Sequence, residues 1–148
     1  FPEQASVPEF GIRDPCHRLV GHRDLVHRRS GAMPVVLVVE AERDIRQRLA
    51  ERWPDNLSVY FGHIGDSNLH LTVDCNSLPQ PAPILEIEEL VYSAVGEMHG
   101  AVSAEHGIGL LKREFLHNSV TDVALQSMRQ LKDCFDPNGI LNPGKILG

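Results

Sequence analysis

No stretch of this 148-residue chain is apolar over the roughly 20 residues that a helix needs to cross a bilayer. The longest apolar run, Val35 to Val39, has the length of a strand. Basic residues are also in short supply, with 14 Lys and Arg against 20 Asp and Glu and a net charge of −6. That balance argues against a general nucleic-acid partner, because phosphate binding needs clustered cations. Cysteine is limited to Cys16, Cys75 and Cys134, an odd and widely spaced set. It predicts reduced thiols in a cytosol-like, cytoplasmic setting and no disulfide framework. No Gly-x-Ser-x-Gly turn surrounds Ser103, so a serine hydrolase is disfavoured. The chain begins at Phe1, and no signal pattern of basic, apolar and small regions follows. We therefore expect a fragment, a processed product or an incomplete gene model.

What is present is ordinary for a globular domain: 42% hydrophobic and 23% charged residues, in a length that can bury a sizeable core. Residues 1–33 differ from the rest. They have no apolar periodicity, and His17, His22 and His27 recur every five residues, each followed by Arg. That spacing suits neither one helix face nor one strand face, so residues 1–33 read as a poorly ordered or foreign arm.

From Pro34 the pattern is regular. Val35 to Val39 predicts a strand, and Glu42 to Trp53 a helix stopped by Pro54. Leu57 to Ile64 and Asn68 to Val73 predict the arms of a hairpin, and Ile84 to His99 a helix closed by His99 and Gly100. Ala101 to Glu105 predicts a short strand. Thr121 to Phe135 predicts a helix with Val123, Leu125, Met128 and Leu131 inward. This order gives an α+β fold, an antiparallel sheet with helices on one face, of ferredoxin-like type.

Two motifs carry chemistry. In FGHIGDSNLH, Phe61 to His70, two histidines flank a turn rich in Gly, Asp and Asn. A hairpin closed about the middle of that turn sets His63 directly opposite His70, with Cβ atoms roughly 5 Å apart. Two imidazoles at that spacing suit one metal ion, and Glu105 of AEHGIG supplies a third ligand with an open position remaining. Both Glu105 and His106 reach one site only if the strand ends there, which Gly107 and Gly109 permit. His106 is then a candidate proton acceptor beside the metal. His99 and His117 read as surface or capping residues, and Lys112 and Arg113 as solvated charges, or as a cation that helps hold an acidic substrate. A lone histidine is ordinarily structural, and Asp66 and Asn68 are ordinarily turn formers.

FGHIGDSNLHLTV, GAVSAEHGIGLLKREFL and LKDCFDPNGILNPGKIL, in that order, resemble the C-terminal domain of FAD-linked oxidases of the D-lactate, glycolate and D-2-hydroxyglutarate dehydrogenase type. The resemblance is strong from Ser58, fainter over residues 34–57 and absent before them. It implies a cap domain (residues 34–148) packed on an FAD-binding domain that is missing from this chain, with a small 2-hydroxy acid between the two. By the same resemblance His63, His70 and Glu105 bind a divalent metal, commonly zinc. His106 acts on the substrate hydroxyl, and Asn142 lies in the segment that returns toward the flavin. Ser67 stands where the family commonly has glycine, a change tolerated if φ stays negative.

The resulting expectation is the catalytic-cap portion of an FAD-dependent oxidoreductase, inactive by itself and prone to self-association through its docking face. A stand-alone metal-binding or interaction module and a zinc hydrolase are the competing readings.

Overall fold

The computed structural model describes residues 20–25, 35–63, 65, 67–103 and 106–147. The reading of Cys16, His17 and His27 lies outside them, as do Glu105 and Asp66. Strand β1 spans Val20–Leu25, helix α1 Val35–Arg52, strand β2 Ser58–His63 and strand β3 Asn68–Val73. Helices α2 and α3 follow at Ile84–Glu97 and Asp122–Phe135, with a 3-10 helix at Arg113–Asn118 between them. The three strands form an antiparallel sheet in the order β1-β3-β2. The fold is α+β as expected, and among the described residues the sheet stops one strand short of the ferredoxin-like pattern.

Two local readings are corrected. Val35 to Val39 is the first turn and a half of α1, not a strand. Val38, Ala41, Ile45 and Leu49 recur at helical steps and are all buried. No turn residue separates the valines from that stripe, so tertiary burial of a 3.6-residue period overrides local β preference. Ala101 to Ser103 has no strand pairing. Val102 is instead anchored by its N–H donating to Ser119 Oγ at 2.7 Å. Of residues 1–33 the described segment is β1, which pairs with β3 from Val20↔Val73 to Leu25↔Leu69.

The core lies between the sheet and the first two helices. Ile45 and Leu49 of α1, Leu71 and Val73 of β3, and Ile87 and Val95 of α2 are fully covered. Burying each large aliphatic side chain contributes about 1.5–3 kcal/mol. Helix α1 ends where Trp53 N–H donates to Leu49 O at 2.8 Å, and Asn56 Nδ2 then donates to the Trp53 carbonyl at 2.7 Å. Helix α2 ends differently from expectation. Gly100 N–H donates to Val95 O and His99 N–H to Gly96 O, the paired bonds of a Schellman cap. The left-handed residue of that cap is His99, with φ 58°, and not the glycine after it.

Helix α3 begins at Thr121, whose hydroxyl accepts from Ala124 N–H. Of its expected inward residues only Leu125 is buried, while Val123 and Leu131 are exposed. An amphipathic pattern shows that a face exists, but a covering partner decides whether that face is buried.

Candidate active site

β2 and β3 position the two histidines. The register pairs Phe61 with His70 and His63 with Asn68. The expected face-to-face pairing of His63 and His70 is therefore displaced by two residues, because the loop closes at 64–67 and not across the expected turn at 65–68. The two histidines still share a sheet face, since alternate residues project to the same side. They meet diagonally, with ring centres 5.5 Å apart and planes at 78°. Phe61 stacks on His70 from the paired position, at 5.0 Å and 23°.

Their environments differ. His70 is 2% exposed on the central strand, whereas His63 is exposed at the strand end. Phe61 and Val59 leave an apolar margin open to solvent on the same face. Asn68 and Ser67 are buried at the hairpin end. Ser67 has φ 64°, so it takes the left-handed conformation that favours glycine and not the negative φ expected of it. Gly62 is required for a different reason. A Cβ there would stand 2.1 Å from the Asn68 carbonyl oxygen, so the two strands approach more closely than any side-chain-bearing residue allows.

Two imidazoles on one tetrahedral ion, with Zn–N distances of about 2.0–2.1 Å, hold their ring centres about 5 Å apart. The 5.5 Å separation of His63 and His70 and the steep angle between their planes fit that requirement. Among the described residues no group of three His, Cys, Asp or Glu side chains gathers into a metal site. The third expected ligand, Glu105, lies outside the described residues.

His106 is exposed in the loop after Ser103. Gly107 (φ 70°) and Gly109 (φ 56°) take the left-handed conformation immediately beyond it. The residue that sequence reasoning misplaced is Lys112. It is 5% exposed, while neighbouring Leu111 is 77% exposed. Composition suggests the reverse, and the cause is orientation: the Lys112 N–H donates to Ile108 O, turning its side chain inward toward Ser103. No signal in the sequence announces that inversion.

The C-terminal segment closes over the same loop. Ile146 N–H donates to Gly109 O at 2.9 Å, and Arg113 Nη1 donates to Gly144 O at 2.8 Å. Asn142, exposed and with φ 47°, begins the turn that delivers Gly144 and Ile146 there. Upstream, Asp136 accepts from the N–H groups of Ile140 and Leu141, each at 2.9 Å, and from Lys132 Nζ. The Lys132 ammonium, followed by the two backbone donors, holds the Asp136 carboxyl below its ordinary value of 3.8.

Among the described residues Cys75 is buried and Cys134 exposed, and no helix is long and apolar enough to cross a membrane.

Comparison with known proteins adds a family. Residues 30–146 match the family of FAD linked oxidases, C-terminal domain. The chain is 39% identical over 108 residues to the D-2-hydroxyglutarate dehydrogenase of Stutzerimonas stutzeri, covering 70% of this chain and 23% of that protein. It is 41% identical over 138 residues to the mitochondrial D-2-hydroxyglutarate dehydrogenase of Rattus norvegicus, covering 93% and 25%. It is 34% identical over 140 residues to the D-2-hydroxyglutarate dehydrogenase of Xanthomonas citri pv. viticola, covering 92% and 29%. The chain thus spans about a quarter of the length of the relatives it matches. Matches of this extent also run into residues 1–33, where sequence reading found no resemblance. The chain belongs to the FAD-linked oxidase C-terminal domain family.

Proposed function

We propose that residues 34–148 form the catalytic cap of a flavin-dependent oxidoreductase that oxidises a small D-2-hydroxy acid, acting in a reducing, cytosol-like compartment. The observation that carries this reading is the diagonal His63–His70 pair beside the exposed Phe61, in a chain of this family. The names of the relatives support D-2-hydroxyglutarate as the first acid to test.

In this reading His63, His70 and Glu105 hold a divalent ion, probed first as zinc, through two ring nitrogens and a carboxylate. When bound, the ion supplies Lewis acidity toward the oxygens of a hydroxy acid, and FAD supplies the electron acceptor. The chain's own residues do the remaining work. His106, as the neutral imidazole, takes the proton of the substrate hydroxyl at a ring nitrogen. Phe61 keeps the His70 ring in one orientation by stacking on it, which restricts where a ligand of that ring can sit. The segment from Asp136 to Ile146, with Asn142 in it, brings the chain's end back to the loop that carries His106.

An FAD-binding domain outside this chain is the partner this reading requires. Support comes from the apolar side chains of Val123, Leu131 and Phe135 on α3 and of Ile140 and Leu141 after it, all exposed among the described residues. An apolar surface of that extent is ordinarily covered by a partner, and self-association of the isolated chain is its other outlet.

Elemental mass spectrometry on the purified chain tests the site. About one divalent ion per chain after zinc loading, lost in His63→Ala/His70→Ala, is the expected result. No bound ion at neutral pH sinks the ligand assignment. Turnover of a D-2-hydroxy acid with a dye acceptor is expected only when a flavin domain is supplied, and turnover by the chain alone refutes the division of labour.

A further inference from the structure

The buried ammonium of Lys112 has no task in the reading above. Lys112 Nζ donates to Ser103 Oγ at 3.2 Å, and Ser103 Oγ donates to Gly107 O at 2.8 Å. The directions are self-consistent. Ser103 has one proton, which goes to the carbonyl, and its lone pair receives the ammonium. The relay joins the residues on either side of Glu105 and His106, and Lys112 N–H closes the same loop again on Ile108 O at 3.2 Å. A buried cation is costly to desolvate, and an apolar side chain of similar volume often serves stability as well or better.

We propose that Lys112 is a positioning residue for His106. Its ammonium sets the Ser103 hydroxyl rotor, which sets the Gly107 carbonyl and hence the Gly107–Ile108 peptide, one residue beyond His106. Gly107, at φ 70°, has no steric preference of its own for that orientation, so the clamp supplies it. The assignment deepens the proposed function and rests on His106 as the proton acceptor.

The test is solution NMR on the isotope-labelled 148-residue chain, without substrate. Ser103→Ala and Lys112→Met should each shift the His106 ring resonances and speed amide exchange at residues 106–109 about tenfold, with Leu71 and Val95 amides unchanged. The double variant should do no more than the stronger single change, because both break one relay. Ser103→Thr, which keeps the hydroxyl, should restore wild-type resonances and exchange.

Unchanged exchange and resonances in Ser103→Ala overturn the proposal, as does a Ser103→Thr variant that behaves like alanine. Ser103→Ala removes one partly exposed oxygen, so it keeps the test decisive if Lys112→Met fails to fold. The readout is separate from the chemistry. Retained turnover by His106→Gln in a flavin-supplied protein would refute the proton-acceptor reading and leave the clamp measurement standing.

Discussion

Gly62→Ala should damage the histidine hairpin more than any other single methyl group added to it. The new Cβ would lie 2.1 Å from the Asn68 carbonyl oxygen, 3.0 Å from its carbon and 3.1 Å from the Leu69 Cα. All three obstacles are backbone atoms, so no side chain can rotate away. The strands must part by roughly 1 Å at the Gly62↔Leu69 pair, between His63 and Phe61. Overpacking of this kind costs about 1–3 kcal/mol, and each weakened ladder bond adds about 0.5–1.5 kcal/mol. A loss of about 2–4 kcal/mol is expected from urea unfolding followed by circular dichroism. Gly65→Ala is the matched control, because a Cβ there meets nothing within 4 Å. Zinc affinity should fall in the first variant and hold in the second. A Gly62→Ala chain within 0.5 kcal/mol of wild type would refute the close strand approach, and with it the diagonal contact of His63 with His70.

His99→Gly should stabilise the chain by about 1 kcal/mol, because an exposed residue at φ 58° gains from losing its Cβ; the urea midpoint reads it. Asp136→Asn should loosen the turn before Asn142 and speed amide exchange at Ile140 and Leu141. The folded-state pKa of Asp136 is depressed, so its contribution is present above the ordinary value of 3.8 and is lost as pH falls through the folded value. The stability gap between wild type and Asp136→Asn should therefore persist at neutral pH and close in acid. Arg48 joins α1 to α2 through two bonds to Glu97, at 3.1 and 2.6 Å, which raise the guanidinium pKa and lower that of the carboxyl. Both side chains are substantially solvated, so a double-mutant cycle should return a coupling of less than about 1 kcal/mol that shrinks with salt. A salt-insensitive coupling well above that would contradict the placement of the pair at the surface.

The sequence by itself determined the elements with long, uninterrupted periods and strong stops. Helix α2 was legible from its apolar stripe, α3 from Thr121 to Phe135, and β3 from its alternation. These are local properties, set by 3.6- and 2-residue repeats and by Pro and Gly. The FAD-linked oxidase family was legible too, because three ordered motifs survive wherever the fold falls.

The tertiary structure decided what depends on distant partners. Burial of Val38 with Ile45 and Leu49 made a β-branched run helical. Closure of the loop at 64–67 moved His63 from opposite His70 to a diagonal position, a shift that strand periodicity cannot predict because it depends on the turn. Packing against Ser103 buried Lys112 and left Leu111 in solvent, the reverse of their hydropathy. Local chemistry writes periods and turns, whereas register and the choice of buried charge are settled by which surfaces meet.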